Sequence, residues 1–354
     1  MRVLKFDKLP PTSFKEGVHS YTTTEVDLDG MYARPNNKRR IGLKVFKEDY
    51  VPLDKFLWKN NNFLDCTKIQ NLFWLHGFAP RVFDIITVEV PMGKRYAQVT
   101  EIVEDDERGD LDKEIGLKMR KIMIDYGISR GTVDPNPNHR YKELLVDFSH
   151  HSFISDNYKR QLIGRLEKEA PWGSNPKTYQ SVEEFGVDGQ RNLKQRLKAY
   201  RFDEINFKDK TVLDYGCSSG QVSRECLRRG AKRVVGLEFP QVANIAYELS
   251  NYLGSFNVDY YGGNFRHEPG NTVYEQIKTF TGLDKFDIVL YLSVQQLLMP
   301  DYLQDIVGEV YFLEGHSGDH GWTYNDKLKK IFKKVEQLEG SNDHSSRPVF
   351  RCSP

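Results

Sequence analysis

From Thr211 to Phe239 the chain reads TVLDYGCSSGQVSRECLRRGAKRVVGLEF. An apolar run, Val212 and Leu213, ends in Asp214, enters a turn of Gly216, Cys217, Ser218, Ser219 and Gly220, and continues as a helix. A second apolar run, Val234 to Leu237, ends in Glu238. Strand, glycine turn, helix, strand and acidic residue, in that order, form half of a nucleotide-binding α/β unit. The turn glycines stand four apart and do not form the GxGxxG of a pyrophosphate cradle. A ligand without pyrophosphate asks Gly216 and Gly220 only to let the backbone approach it closely. Glu238, at the tip of the second strand, is placed to accept hydrogen bonds from both hydroxyls of a ribose.

These residues resemble motif I and the following acidic loop of class I S-adenosylmethionine (SAM)-dependent methyltransferases. The resemblance implies a doubly wound, Rossmann-like α/β sheet with SAM as cofactor. It implies a cofactor set of Asp214, Tyr215, Gly216, Cys217, Gly220, Gln221, Glu238 and Phe239. Just ahead of the motif stand Gly189, Gln190 and Arg191, then Arg196. Many methyltransferases lay such a segment over the cofactor, and a guanidinium there can hold a carboxylate bidentately. Arg191 is the expected partner; a surface arginine on an amphipathic helix is the competing reading for both.

Downstream, a helix is expected over Val242 to Leu253, followed by FNVDYYGGNF. Val258 and Tyr260 alternate as in a strand, and Gly262 to Phe265 form its closing turn. In the fold that the resemblance implies, this turn flanks the adenine, which nominates Asn264 and Phe265; ordinary turn chemistry is the alternative. KFDIVLYLSVQQLL then reads as a buried strand ending at Ser293. Base-directed and some amide-directed methyltransferases carry Asn/Asp-Pro-Pro-aromatic here, and this chain does not. Its LSV element resembles methyltransferases of sugars and other small molecules. Ser293 joins the cofactor set, with a helix cap as its simpler role; Gln295 and Gln296 are expected to meet substrate hydroxyls.

The next strand, EVYFLEGHSG, delivers Glu314 and His316 to the carboxyl edge of the sheet, where ligands of such sheets sit. Methyl transfer to an alcohol benefits from a positioned base, and an imidazole titrates near about 6.5. His316 is therefore the expected base and Glu314 its orienting or substrate-binding partner. Two alternatives stay open: a divalent-metal cluster of Glu314, His316, Asp319 and His320, or loop residues capping the next helix. No metal is expected in the site. A helix from Tyr324 to Leu338 and a final antiparallel strand, RPVFRCSP, are expected to complete the sheet.

The first half carries another pattern. IGLKVFKE holds Lys44 in a strand, a helix and strands follow, and LLVDFS places Asp147 late in the segment. In order these are similar to the protein-kinase-like fold. The departures are specific: no glycine-rich loop precedes Lys44, Cys66 and Thr67 stand where a pairing glutamate belongs, only Asp134 and Asn138 approximate a catalytic loop, and Ser149 replaces the glycine after Asp147-Phe148. Phosphoryl transfer needs its lysine and both aspartates together. The expected first domain is thus a smaller α+β unit that binds substrate or a partner, degenerate kinase-like or unrelated to kinases.

With 354 residues, two domains are expected: 1–155, a linker and helical lid over 156–200, and the methyltransferase domain over 201–354. Fifty-one basic residues against 50 acidic ones argue mildly against a dedicated nucleic-acid binder. The local cluster Arg224, Arg228, Arg229, Lys232 and Arg233 reads as a solvated helix face. The cysteines, Cys66, Cys217, Cys226 and Cys352, show neither metal nor disulfide spacing. With no apolar leader or membrane-length run, the expectation is a cytoplasmic enzyme without a membrane partner. It would methylate a small-molecule or glycan acceptor on oxygen. RNA methylation and a catalytically silent SAM-fold partner subunit are the alternatives, and nothing in the sequence marks an oligomeric state.

Overall fold

A computed structural model describes residues 3–6, 20–23, 28, 40–58, 61–91, 93–102, 113–129, 140–141, 144–145, 148, 151–169, 178–265, 273–294, 303–316, 321–341 and 347–354. The chain divides into two compact units. The first comprises Met1–Tyr32, Asn37–Gln161 and Asn251–Phe256; the second comprises Ala33–Asn36, Leu162–Ser250 and Asn257–Pro354. The stretch read as linker and lid is therefore divided, with everything from Leu162 to residue 200 in the second unit.

The first unit is built on strands β1 (Val3–Lys5), β2 (Ser20–Thr23), β3 (Ile41–Phe46), β4 (Val82–Val90) and β5 (Gly93–Glu101), side by side in the order β1-β4-β5-β3-β2. Its β1–β4 pair is parallel and the rest are antiparallel. Strand alternation in β3 turns Ile41, Leu43 and Val45 onto Ile86, Val88, Ala97 and Val99. Helix α1 (Phe63–Leu75) starts at Asn62, whose side chain accepts the Asp65 N–H at 3.1 Å. Lys44 faces Gln98 in register, and its ammonium sits 4.2 Å from the centre of the Trp58 ring. Gln98 donates to Thr67 on α1 at 2.8 Å. Buried Thr67 thus holds the helix to the sheet at the level where a kinase-like fold would set a glutamate against the lysine. Asp134, Asn138, Asp147 and Ser149 lie outside the described residues. Helices α2 (Lys113–Tyr126) and α3 (Asn157–Glu169) follow in sequence.

The second unit opens with a short parallel pair, β6 (Thr178–Gln180) and β7 (Gly189–Arg191), and helix α4 (Leu193–Ala199). The chain then alternates: β8 (Thr211–Tyr215), α5 (Gln221–Arg228), β9 (Arg233–Glu238), α6 (Pro240–Tyr252), β10 (Val258–Gly262), α7 (Val273–Thr281), β11 (Phe286–Leu292), β12 (Val307–Glu314). Helix α8 (Gly321–Ile331) and strands β13 (Lys334–Ser341) and β14 (Arg347–Ser353) complete it. The sheet order is β10-β9-β8-β11-β12-β14-β13, parallel through β12, with β14 antiparallel to both neighbours.

Its strands read as near-continuous apolar runs because both faces are covered. On β8, Val212 enters one core with Val234, Ile288 and Phe312, while Leu213 enters the other with Val235, Val289 and Leu313. The winding reverses about β8, with β9 and β10 added on one side and β11 and β12 on the other. The carboxyl edge beside β8 is therefore the switch point, the usual ligand crevice of such sheets. One expected element differs. The helix read as Tyr324 to Leu338 stops at Ile331, and Leu338 pairs with Val349 on β14. Strand pairing along the β14 edge overrides local helix preference there.

Candidate active site

The turn between β8 and α5 is shaped by backbone conformation. Gly216 and Gly220 hold φ of 74° and 75°, and Ser218 shares that left-handed region at 51°. The amides of Gly216 and Cys217 both donate to the Leu237 carbonyl, at 2.9 and 3.2 Å, which ties the turn to β9. A Cβ on Gly220 would lie 2.1 Å from the Tyr260 hydroxyl, and one on Gly216 would lie 2.7 Å from Val294. These glycines serve positive φ and close side-chain packing; the space beside Gly220 belongs to Tyr260. The Asp214 carboxylate is buried and accepts from the Ser223 hydroxyl at 2.5 Å, so it staples β8 to α5. Burial pushes its pKa up to about 6.

Glu238 ends β9, half-buried, and its carboxyl is raised to about 7, chiefly by burial, with the Asp214 charge adding to it. Phe239 beside it is also half-buried. Asn264 is exposed at the end of the turn after β10. Phe265 differs from its expected stacking role. Its ring lies within the core, edge-on to Phe280 at 6.3 Å and to Tyr215 at 6.4 Å. The Tyr215 hydroxyl donates to the Phe265 carbonyl, which makes Tyr215 a brace for that turn. Cys217 is buried with its thiol pushed well up by burial, and its sulfur would lie 2.7 Å from a Cβ on Gly236.

An unanticipated arm supports the turn. On β6, the Gln180 side-chain oxygen accepts from Ser219 Oγ at 3.1 Å and from the Gln221 amide at 3.2 Å. The Gln221 side chain donates back to the Ser181 carbonyl. Gln221 therefore anchors the arm through its side-chain amide. The arm's tight pairing requires Gly189, where a Cβ would lie 2.2 Å from the Gln180 backbone.

Along the same edge, Ser293 is a junction. It follows β11 at φ +61°, a strained conformation for a serine. Its amide donates to the Glu314 carbonyl at 2.9 Å, and its hydroxyl donates to Glu314 Oε2. Its hydroxyl also accepts from Arg191 Nη1 at 3.1 Å, while its carbonyl meets His316 Nε2 at 3.1 Å. A carbonyl only accepts, so this contact requires a proton on Nε2 and leaves Nδ1 as the basic nitrogen.

Arg191 and Arg196, both buried, converge on Glu314. Arg191 Nη2 approaches Oε1 at 2.6 Å and Arg196 Nη2 approaches Oε2 at 3.3 Å. Burial would raise the Glu314 carboxyl, but Arg196 and Arg191 outweigh it and hold the pKa at about 2. Two expectations change accordingly. Arg191, expected to hold the cofactor carboxylate, directs both Nη groups to Glu314, Ser293 and the Tyr179 hydroxyl. Glu314, expected to work beside His316, is a counterion whose oxygens are engaged.

Gln295, Gln296, Asp319 and His320 lie outside the described residues. Among the described residues, no group of three or more His, Cys, Asp or Glu could hold a metal ion, and no helix is long and apolar enough to cross a membrane. The basic cluster is a solvated face only in part: Arg228 is exposed and, with Arg229, binds Glu225, Arg229 also binds Asp203, while Arg224 and Arg233 are buried.

The turn, the half-buried Glu238 and the switch-point crevice suit a nucleoside with a free ribose. No protein-family model matches the chain. It is similar to protein arginine N-methyltransferase 1 of Oryza sativa subsp. indica, 36% identical over 86 residues that cover 23% of this chain and 22% of that protein. The same-named protein of Saccharomyces cerevisiae is 34% identical over 88 residues, 25% of each. This chain thus spans about a quarter of the length of these curated relatives. Among solved structures it is similar to the bifunctional kinase-methyltransferase WbdD, at 20% identity and a TM-score of 0.40 over 55% of this chain and 45% of that one. The chain carries a class I SAM-dependent methyltransferase unit, and its cofactor is S-adenosylmethionine.

Proposed function

We propose that the protein transfers the methyl group of SAM to a hydroxyl of a small polar acceptor, a sugar or glycan being the class favoured. The observation that carries this reading is His316, tethered through Nε2 to the Ser293 carbonyl at the carboxyl edge with Nδ1 as its basic nitrogen. When bound, SAM supplies an electrophilic methyl on a sulfonium. Glu238 takes the ribose hydroxyls, the backbone of residues 216–220 lies along the ligand, and Phe239 and Asn264 flank the base. His316 Nδ1 removes the acceptor's hydroxyl proton as the oxygen attacks, a role worth about 10²–10⁴-fold in rate. The test is transfer of labelled methyl from SAM into fractionated extract, with Glu238→Ala as control. Label in the glycan or sugar pool, lost in the variant, supports the reading; label confined to RNA or protein overturns the acceptor class.

Similarity to arginine methyltransferases favours a second reading, a protein guanidinium acceptor. A guanidinium needs carboxylates to orient it. At this edge Glu314 already serves two guanidinium groups of its own chain, which weighs against that reading.

A further inference from the structure

We propose that the Arg191–Arg196 cluster is an anion site for the acceptor, so that the methylated molecule carries a carboxylate or a phosphate. This rests on the hydroxyl-acceptor reading and narrows it.

The first observation is a concentration of buried positive charge. Arg191, Arg196 and Arg347 are buried, and guanidinium groups stay protonated in proteins. Among the described residues, the buried carboxylates that share their field are Glu314, held ionised, and Asp214, on which Arg196 also acts. Bringing three guanidinium groups into one buried region is costly unless anions answer them.

The second observation is geometric. Arg196 spends Nε on the Tyr200 hydroxyl at 2.9 Å and Nη2 on Glu314, while its buried Nη1 has no hydrogen-bond partner among the described residues. A donor left this way normally costs about 1–3 kcal/mol, and such groups call for a ligand or a solvent partner. Tyr179, half-buried over the cluster, gives Arg191 Nη1 its hydroxyl at 3.2 Å. Burial pushes that hydroxyl's pKa up, yet Arg196, Arg191 and Arg347 together bring it below the ordinary tyrosine value. The cluster thus favours negative charge at the position of that hydroxyl. An acceptor oxyanion would take the place of that hydroxyl.

The third observation is proximity to the base. Ser293 receives Arg191 on its hydroxyl and His316 on its carbonyl. One residue therefore sets the spacing between the anion site and the proton acceptor, which is what a specificity site for a hydroxylated anion requires.

The test measures binding to the full chain saturated with S-adenosylhomocysteine, whose own carboxylate then occupies whatever site it uses. Inorganic phosphate and D-glucuronate are titrated against D-glucose by calorimetry. The expected result is saturable binding of both anions, none of glucose at the same concentrations, and at least a tenfold loss of anion affinity in Arg196→Met. Arg347→Gln and Tyr179→Phe serve as milder variants should Arg196→Met not fold. Tyr179→Phe should keep or improve anion binding, because the competing hydroxyl is gone. No anion binding to the saturated wild type overturns the proposal, whether the site is absent or held by the cofactor's carboxylate. Glucose binding as tight as that of glucuronate overturns it as well. A labelled-methyl assay on the same three compounds separates the two readings. Anion binding without transfer to any hydroxyl defeats the hydroxyl-acceptor function and leaves the anion site standing.

Discussion

Arg191 Nη2 lies 2.6 Å from Glu314 Oε1, with both side chains all but sealed from solvent and Arg196 on the second oxygen. Removing one partner of a buried ion pair typically costs about 3–5 kcal/mol, because the charge left behind stays desolvated. Glu314→Gln abandons two guanidinium groups at once, so a loss at the upper part of that range is expected in urea unfolding. A loss below about 1 kcal/mol would mean the arginines find water instead. The pH dependence has a definite sign. The folded carboxyl is depressed to about 2, so its stabilisation is present above the ordinary glutamate range and fades as pH falls toward about 2.

Glu238 is raised to about 7, and only its ionised form accepts the two ribose hydroxyls on both oxygens as strong, charge-assisted hydrogen bonds. Cofactor binding therefore favours deprotonation, and SAM affinity should rise with pH through about 7 and then level off. Calorimetric Kd values across that range check this; Glu238→Gln should bind weakly with no such rise. For stability the sign is opposite. A carboxyl raised on folding makes the free protein less stable as pH climbs from the unfolded value to about 7. A wild-type Kd that is flat with pH would remove Glu238 from the ribose site.

Local order was legible in the sequence where neighbouring residues decide it. The switch from the apolar run at Val212–Leu213 through a glycine turn to a helix, and the acidic end of β9, are short-range patterns, and both stand in the fold. What escaped are pairings across large sequence separations. Arg196 and Glu314 are 118 positions apart, and no periodicity links them. Gln180 under the motif turn and Tyr260 behind Gly220 are likewise 41 and 40 positions from their partners. Phe265 shows the related error of assigning a turn aromatic to a ligand when core burial claims it. Leu338 sits in a strand because β14 offers it hydrogen bonds that no local propensity records.

Gly220 meets two constraints, a φ of 75° and a Tyr260 hydroxyl 2.1 Å from any Cβ. Left-handed backbone alone costs a non-glycine residue about 1–2 kcal/mol. Gly220→Ala should exceed that, because Tyr260 must also move and break its 2.8 Å contact with Ser250. Thermal unfolding of Gly220→Ala in the wild-type and Tyr260→Ala backgrounds checks the argument. The penalty should shrink toward the strain value once the ring is gone; equal penalties in both backgrounds would show that the clash contributes nothing.

His316 is fixed by an accepting carbonyl, so its neutral form carries the proton on Nε2 and presents Nδ1 as the base. Nitrogen-15 spectra of the imidazole should therefore show the Nε2–H tautomer in the neutral form. His316→Ala is expected to lower kcat by about 10²–10⁴-fold while leaving SAM affinity unchanged, since its proposed role acts on the acceptor's proton and not on the cofactor. His316→Asn keeps a donor toward Ser293 but no base, so it should preserve stability and still lose the rate. Recovery of most activity in His316→Asn would assign the residue to positioning Ser293, and full activity in His316→Ala would remove it from the reaction.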